Sequence, residues 1–320
     1  MPLGNYHYYG DQMETVHQLE IEPEMSVDAL VRGMSRCGFG ARRLSEAVDI
    51  YESMLLEDYT KFMALSGAMV PAGMRNVVSE LIQKGHVDVL VTTGANLVHD
   101  IIESFGHHCL GNAQSDDSSL RAQGLSRIYD VFIGDDDFVH FEELMQNILP
   151  EGAEAISGTE LMRSLGSQIS DEKSILRSAY ETDVPVFCPA ISDSMIGLQA
   201  WLRGQTRKLT LDAFADIKQI VDICYESRRA GALIVGGGVP KNFTLQSMLV
   251  TPKSFDLAIQ LTTDTPENGG LSGATLSEAV SWGKISAGAR YVTVYGDATI
   301  TFPLMVAATM ERLGKRGHEN

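Results

Sequence analysis

The chain has 320 residues, 44% apolar and 21% charged, enough to bury a sizeable core without disulfide or metal staples and unlike disorder, collagen or coiled coil. Asp and Glu number 42 against 25 Lys and Arg, a formal charge of −17; this repels phosphate backbones, so nucleic acid is excluded as a direct ligand and a polyamine or basic protein is favoured. No apolar run reaches the ~20 residues of a membrane span.

From the amino terminus, the first twenty residues lack the basic start and apolar stretch of a secretory signal, and a cytoplasmic protein is expected. The four cysteines, Cys37, Cys109, Cys188 and Cys224, form no CxxC pair and read as buried thiols in a reducing compartment, with neither disulfides nor a metal site. Residues 1–85 read mainly as helix: Leu30, Val31 and Met34, then Leu44, Ala47, Val48, Tyr51 and Leu55, recur at three- and four-residue steps. From residue 86 short apolar runs alternate with helical stretches: Val87–Thr92, Val184–Phe187, Ala232–Val235, Leu257–Leu261 and Tyr291–Tyr295. Runs apolar throughout, not alternating, predict strands covered on both faces, hence a parallel sheet with helical crossovers. The expectation is a single α/β domain, 1–320, with a doubly wound sheet in 86–320 beneath the helical layer of 1–85.

Each of these runs ends in small and short polar residues. They are Thr92-Thr93-Gly94-Ala95-Asn96, Cys188-Pro189-Ala190-Ile191-Ser192-Asp193, Gly236-Gly237-Gly238, Thr262-Thr263-Asp264 and Gly296-Asp297-Ala298. The carboxyl edge of such a sheet is where ligands bind; glycines admit a phosphate to the backbone and Asp accepts from ribose hydroxyls. One such turn is ordinary turn chemistry, but five on one edge point to a nucleotide. No GxGxxG is present.

Other clusters carry less. His99, Asp100, Glu103, His107 and His108 have spacings that a metal could use, but no HExxH, and read better as a solvated helix face. Asp135-Asp136-Asp137, after a strand-like Tyr129–Ile133, is expected to make an exposed turn. Ser192-Asp193-Ser194 has no GxSxG elbow.

The most distinctive segment is Asn268 to Lys284. Thr275-Leu-Ser-Glu278 is a capping box, in which Glu278 is expected to reach back to a free backbone N–H. Glu278 and Trp282 share a helix face, and Gly283 is suited to end the helix and turn Lys284 back towards them. A carboxylate, an indole and an amine then converge, which suits a cationic substrate and an imine-forming lysine. On spacing alone, a capped helix with a core tryptophan and a solvated lysine is the more economical reading.

Glu278-Ala-Val-Ser-Trp-Gly-Lys284 closely resembles the lysine-bearing motif of deoxyhypusine synthases. The resemblance continues through Gly33 to Ala47, Leu120-Arg121, Gly124-Leu-Ser-Arg-Ile128, Phe187-Cys-Pro-Ala190, Gly236-Gly-Gly-Val-Pro-Lys241, Asp297-Ala298 and Phe302-Pro-Leu304. It implies a Rossmann-like NAD domain, assembled as a homotetramer with active sites between paired subunits. It also implies the reaction: NAD oxidises spermidine, Lys284 captures the four-carbon piece as an imine, and an acceptor amine receives it. The acceptor is a lysine of the hypusine-containing translation factor or, in the alternative, a diamine such as putrescine that yields homospermidine. A catalytically silent NAD-binding regulatory subunit is the alternative of another class.

By the same resemblance Glu278 and Trp282 hold the polyamine. Thr93, Asp193, Gly236, Gly238, Thr263, Ser272 and Asp297 hold NAD, with Gly94, Gly237, Asp264, Asn268 and Ala298 adjoining in the same turns. The chain departs from the pattern at several of these places. Leu198 and Leu271 replace acidic residues of the amine pocket, Asn242 replaces a histidine, and Gly67-Ala68 replaces Ser-Asn. His99 stands for glutamate and Asn268 for aspartate. Each lost charge-assisted hydrogen bond is worth roughly 1.5–3 kcal/mol, so spermidine held in the same way is bound more weakly.

Overall fold

The computed structural model describes residues 14–150 and 155–317. Most of the amino-terminal stretch read as leaderless therefore lies outside the described residues. Six parallel strands form one sheet: β1 (Thr60–Leu65), β2 (Val89–Thr92), β3 (Val186–Phe187), β4 (Ala230–Val235), β5 (Phe255–Thr262) and β6 (Ile285–Tyr295). Their order across the sheet is β6-β5-β4-β1-β2-β3. The chain thus runs outward from β1 to β3, returns to lay β4 against the other side of β1, and continues to β6. That is the doubly wound order, and its switch point, where a crevice opens for ligand, lies between β1 and β4. Their register brings Leu65 level with Val235, and Leu261 pairs with Val235 on the next strand.

The helices packed around the sheet include α1 (Val27–Met34), α2 (Phe39–Leu56), α3 (Gly94–Ile102), α4 (Asp135–Ile148), α5 (Met195–Thr206), α6 (Gly238–Gln246), α7 (Leu276–Ser281) and α8 (Ala298–Gly317). Every residue of β2 and β4 is buried, as the continuous apolar runs require of strands covered on both faces. Leu257, Ile259 and Leu261 point to one core layer, and Phe255 and Ala258 to the other.

Three expectations need correction. The segment 1–85 is not simply a helical layer: it contains β1, the strand at the switch point. Its sequence, TKFMAL, is short and rich in helix formers, and periodicity cannot separate a short buried strand from buried helix. Asp135, Asp136 and Asp137 form the first turn of α4, where carboxylates favour the positive end of the helix dipole. The preceding strand, Val131–Gly134, pairs antiparallel with Leu125–Ile128 and Cys109–Leu110 in a separate small sheet. Only Cys188 and Cys224 are buried; Cys37 is half-buried and Cys109 exposed.

The helical layer that does form is tied by charge. The Arg312 guanidinium, buried in α8, reaches Asp28 of α1 and Asp49 and Glu52 of α2. Among the described residues no helix is long and apolar enough to cross a membrane.

Candidate active site

A cleft of about 720 Å³ opens along the carboxyl ends of all six strands. Its lining follows the chain: Ser66, Gly67 and Met69 after β1, Thr93 and Gly94 after β2, Ala190 and Asp193 after β3. Gly236 to Pro240 follow β4, Thr263, Asp264 and Ser272 follow β5, and Asp297 and Ala298 follow β6. The fold therefore gathers every sequence-designated cofactor residue except Asn268. That side chain is exposed and donates to the Asp264 carboxylate from the rim. Ser66 was not designated, because the strand that delivers it was read as helix; Gly67 was noted only as a departure, standing with Ala68 where the family pattern has Ser-Asn.

Helix starts converge here. Thr93 caps α3 by accepting from the Asn96 N–H at 3.3 Å. Ser194 caps α5, accepting from the Gly197 N–H at 3.1 Å and donating to the Ile191 carbonyl at 2.6 Å. Ser194 is thereby a structural cap, not a nucleophile. Asp297 accepts from the Thr299 N–H at 2.8 Å at the start of α8, and Gly237 precedes α6. Oriented N–H groups and helix dipoles make such a rim attractive to an anion.

The glycine turn is required by geometry. Gly236 and Gly238 have φ of +79° and +60°, values that side chains seldom adopt. A Cβ on Gly237 would stand 2.4 Å from Ser272 Cα across the cleft. Opposite, Asp264 accepts from the Ser272 hydroxyl and the Asn268 amide, and these bonds hold its carboxyl below the usual carboxylate range. A closely walled glycine turn facing fixed carboxylates fits a dinucleotide: backbone N–H groups for the pyrophosphate, Asp264 and Asp297 for ribose hydroxyls.

Beyond the Ser272 wall begins α7. The Thr275 hydroxyl oxygen accepts from the Glu278 N–H at 3.2 Å, but the Glu278 carboxylate takes the Thr275 hydroxyl at 3.3 Å. The expected return bond to the backbone is absent, so only half of the capping box forms and Glu278 stays exposed. The helix ends as its sequence predicts. Gly283 has φ of +72°, its N–H bonds to the Val280 carbonyl at 3.0 Å, and the Lys284 N–H bonds to the Ala279 carbonyl at 2.9 Å. This paired closure is a Schellman turn.

The turn brings the half-buried Lys284 Nζ to 5.9 Å from the centre of the Trp282 ring and 3.3 Å from Asn242 Oδ1. Trp282 is 68% exposed, so the core-tryptophan reading fails. Its ring face is open to a cation. Leu198 and Leu271 are each 47% exposed, Leu198 on α5 and Leu271 in the loop between β5 and α7; neither lines the cleft.

Two buried polar residues without an assigned role lie between the halves. Lys241, quoted above only as part of a motif, donates from Nζ to Gln260 Oε1 at 3.0 Å, to the Leu271 carbonyl at 3.3 Å and to the Ala274 carbonyl. Burial pushes its amine down to about 8; the Glu278 and Asp264 carboxylates oppose this and the Lys284 cation adds to it. Gln260 carried no sequence signal beyond being an amide within an apolar strand.

The histidine-rich segment resolves differently. Asp100 points into the core, where its carboxylate accepts from Arg75 Nε at 2.7 Å, Ser174 Oγ at 2.8 Å and two backbone N–H groups. Glu103, His108 and His99 form a chain of ring-nitrogen bonds, His108 Nε2 lying 2.9 Å from His99 Nδ1. His107 is exposed.

The sequence profile of deoxyhypusine synthase matches residues 29–309. "Probable deoxyhypusine synthase 1" of Methanosarcina acetivorans is 55% identical over 96% of this chain and 98% of its own length. The chain belongs to the deoxyhypusine synthase family. A relative of the same name from Archaeoglobus fulgidus is 46% identical over 92% of this chain and 98% of its own. A crystal structure from Entamoeba histolytica, provisionally assigned as a deoxyhypusine synthase, superposes with a TM-score of 0.65 at 18% identity, covering 90% of this chain and 94% of that one. It shares the fold. Deoxyhypusine synthases are enzymes that transfer an aminobutyl group, and α7 with the Lys284 that follows it lies within the matched span.

Proposed function

We propose that this chain transfers the 4-aminobutyl group of spermidine to a lysine of the hypusine-containing translation factor through an imine on Lys284. The observation that carries the proposal is the Gly283 turn, which sets Lys284 beside Trp282 and Asn242 at the end of α7. NAD, held by the glycine turn and the carboxylates of the cleft, supplies a hydride acceptor and, later, a hydride donor.

Around it the chain's own residues have definable tasks. The exposed Trp282 face and Glu278 carboxylate attract the ammonium groups of the polyamine. The Lys284 amine attacks the carbon oxidised beside the secondary nitrogen, 1,3-diaminopropane leaves, and the four-carbon piece stays as the lysine imine. The acceptor lysine then displaces Lys284. Asn242 accepts a hydrogen bond from the Lys284 amine and so fixes its direction between turnovers. Assembly as a homotetramer, with sites between paired subunits, accompanies this reading.

The test is a mass-resolved assay with NAD and spermidine, run with the translation factor and separately with putrescine, the imine being trapped by borohydride. An aminobutyl gain on the factor, with an adduct on Lys284 that Lys284→Ala abolishes, is expected. Homospermidine with an unmodified factor would replace the acceptor. NAD binding with no adduct and no product would leave only a regulatory subunit.

A further inference from the structure

Gln260 sits in β5 at a position whose neighbours, Ala258, Ile259, Leu261 and Thr262, are all buried, and it is itself 1% exposed. An amide there is costly unless its hydrogen bonds are made. They are made, and to a telling set of partners. Nε2 donates to the Gly236 carbonyl at 3.0 Å and to the Ser272 carbonyl at 2.8 Å, while Oε1 accepts from Lys241 Nζ at 3.0 Å. Lys241, 3% exposed, carries the chain of bonds on to the carbonyls of Leu271 and Ala274.

Each carbonyl so held belongs to a segment that builds the site. Gly236 is in the glycine turn, Ser272 is in the opposite wall with Leu271 immediately before it, and Ala274 is the last residue before the Thr275 cap of α7. Lys241 also precedes Asn242, the residue that receives Lys284. A side chain serving core cohesion alone would be apolar and bind nothing in the loops. We propose that Gln260 and Lys241 form a buried clasp of positioning residues, with Gln260 setting the width of the cofactor cleft and Lys241 setting the start of α7 and thus the placement of Lys284. Neither side chain lines the cleft. The roles assigned to the two halves rest on the transferase reading, but the clasp itself does not.

The two variants separate the two tasks. Gln260→Glu keeps an acceptor for Lys241 but sets an oxygen against the carbonyls of Gly236 and Ser272; Lys241→Met keeps those two bonds and frees the carbonyls of Leu271 and Ala274. Gln260→Leu is a third protein that keeps the strand apolar should the glutamate prevent folding. Three readouts are taken: amide hydrogen exchange without cofactor, NAD affinity, and the rate of borohydride-trapped adduct at saturating NAD and spermidine.

Exchange in 264–275 is expected to quicken at least tenfold in all three variants, while β1 and β4 keep wild-type protection. NAD affinity is expected to fall at least tenfold in Gln260→Glu or Gln260→Leu. In Lys241→Met the trapping rate is expected to fall at least tenfold with NAD affinity within threefold of wild type. Variants that melt earlier yet keep wild-type exchange in 264–275 and wild-type NAD affinity would overturn the clasp, as would exchange raised evenly across the sheet. If wild-type protein forms no adduct, the transferase reading fails, and local exchange together with NAD affinity still decides the clasp.

Discussion

Gly283 shows how much of this site hangs on one backbone conformation. At φ of +72°, with open space where a Cβ would go, the residue is constrained by torsion and not by packing. Gly283→Ala should cost about 1–2 kcal/mol, the usual expense of a left-handed residue with a side chain, and Gly283→Asn should recover part of it. Thermal melts check the stability. Trapping with borohydride checks the function, and the adduct on Lys284 should fall by at least tenfold in Gly283→Ala, because the turn sets the direction of that lysine. A melt shifted as expected with an undiminished adduct would show that Lys284 finds its place without the turn. This much was legible locally: glycine after a short capped helix announces the turn. Whether Trp282 faced core or solvent was not, since Glu278 and Trp282 share a face whichever side that face meets.

At the scale of elements, the cleft is a meeting of helix starts on a strand edge, and the start of α6 lies close against the loop after β5. Gly237→Ala would drive a Cβ to 2.4 Å from Ser272 Cα, a backbone atom that cannot step aside. The variant should keep the sheet, whose strands end before it, and lose NAD binding by two orders of magnitude or more, read by calorimetric titration. Retained affinity would mean that the loop yields and that the wall is not part of the cofactor site. The capping and turn residues of these elements were readable because they act within four residues of each other. The existence of β1 was not readable, because TKFMAL becomes a strand only by pairing with β2 and β4.

For the whole molecule, stability against pH has an identifiable contributor outside the cleft. Desolvation, with the neighbouring His108 adding to it and Glu103 opposing, pushes His99 from 6.5 down to about 4. Between those values the unfolded chain binds a proton that the folded one refuses, so stability falls as pH drops from about 6.5 to about 4, by at most about 3 kcal/mol. Burial, the largest single influence, would raise the Glu103 carboxyl, but the side-chain and backbone hydrogen bonds from His108 and the His108 and Arg75 charges together hold it below the usual range; Glu103 therefore acts at lower pH than most of this window. Denaturant unfolding across pH 4–7 checks this, and His99→Gln should flatten the slope. A slope unchanged by the substitution would assign the acid sensitivity to other groups.

The sequence by itself determined the parallel α/β class, the carboxyl-edge turns and the glycine turn that closes α7, because apolar runs and glycine turns are written in neighbouring residues. Resemblance along the chain supplied the family, and the family comparison bears it out. Only the tertiary structure decided that β1 stands at the switch point, that Asp100 belongs to the core and Trp282 to solvent, and that Gln260 and Lys241 grip both walls of the cleft. Those facts arise between residues well separated in the chain, 19 positions for Lys241 and Gln260, 76 for Asp100 and Leu176, and Thr60 with Ala230 across the β1–β4 pair, where partners are chosen by which surfaces meet when the sheet closes, and no local pattern records that choice.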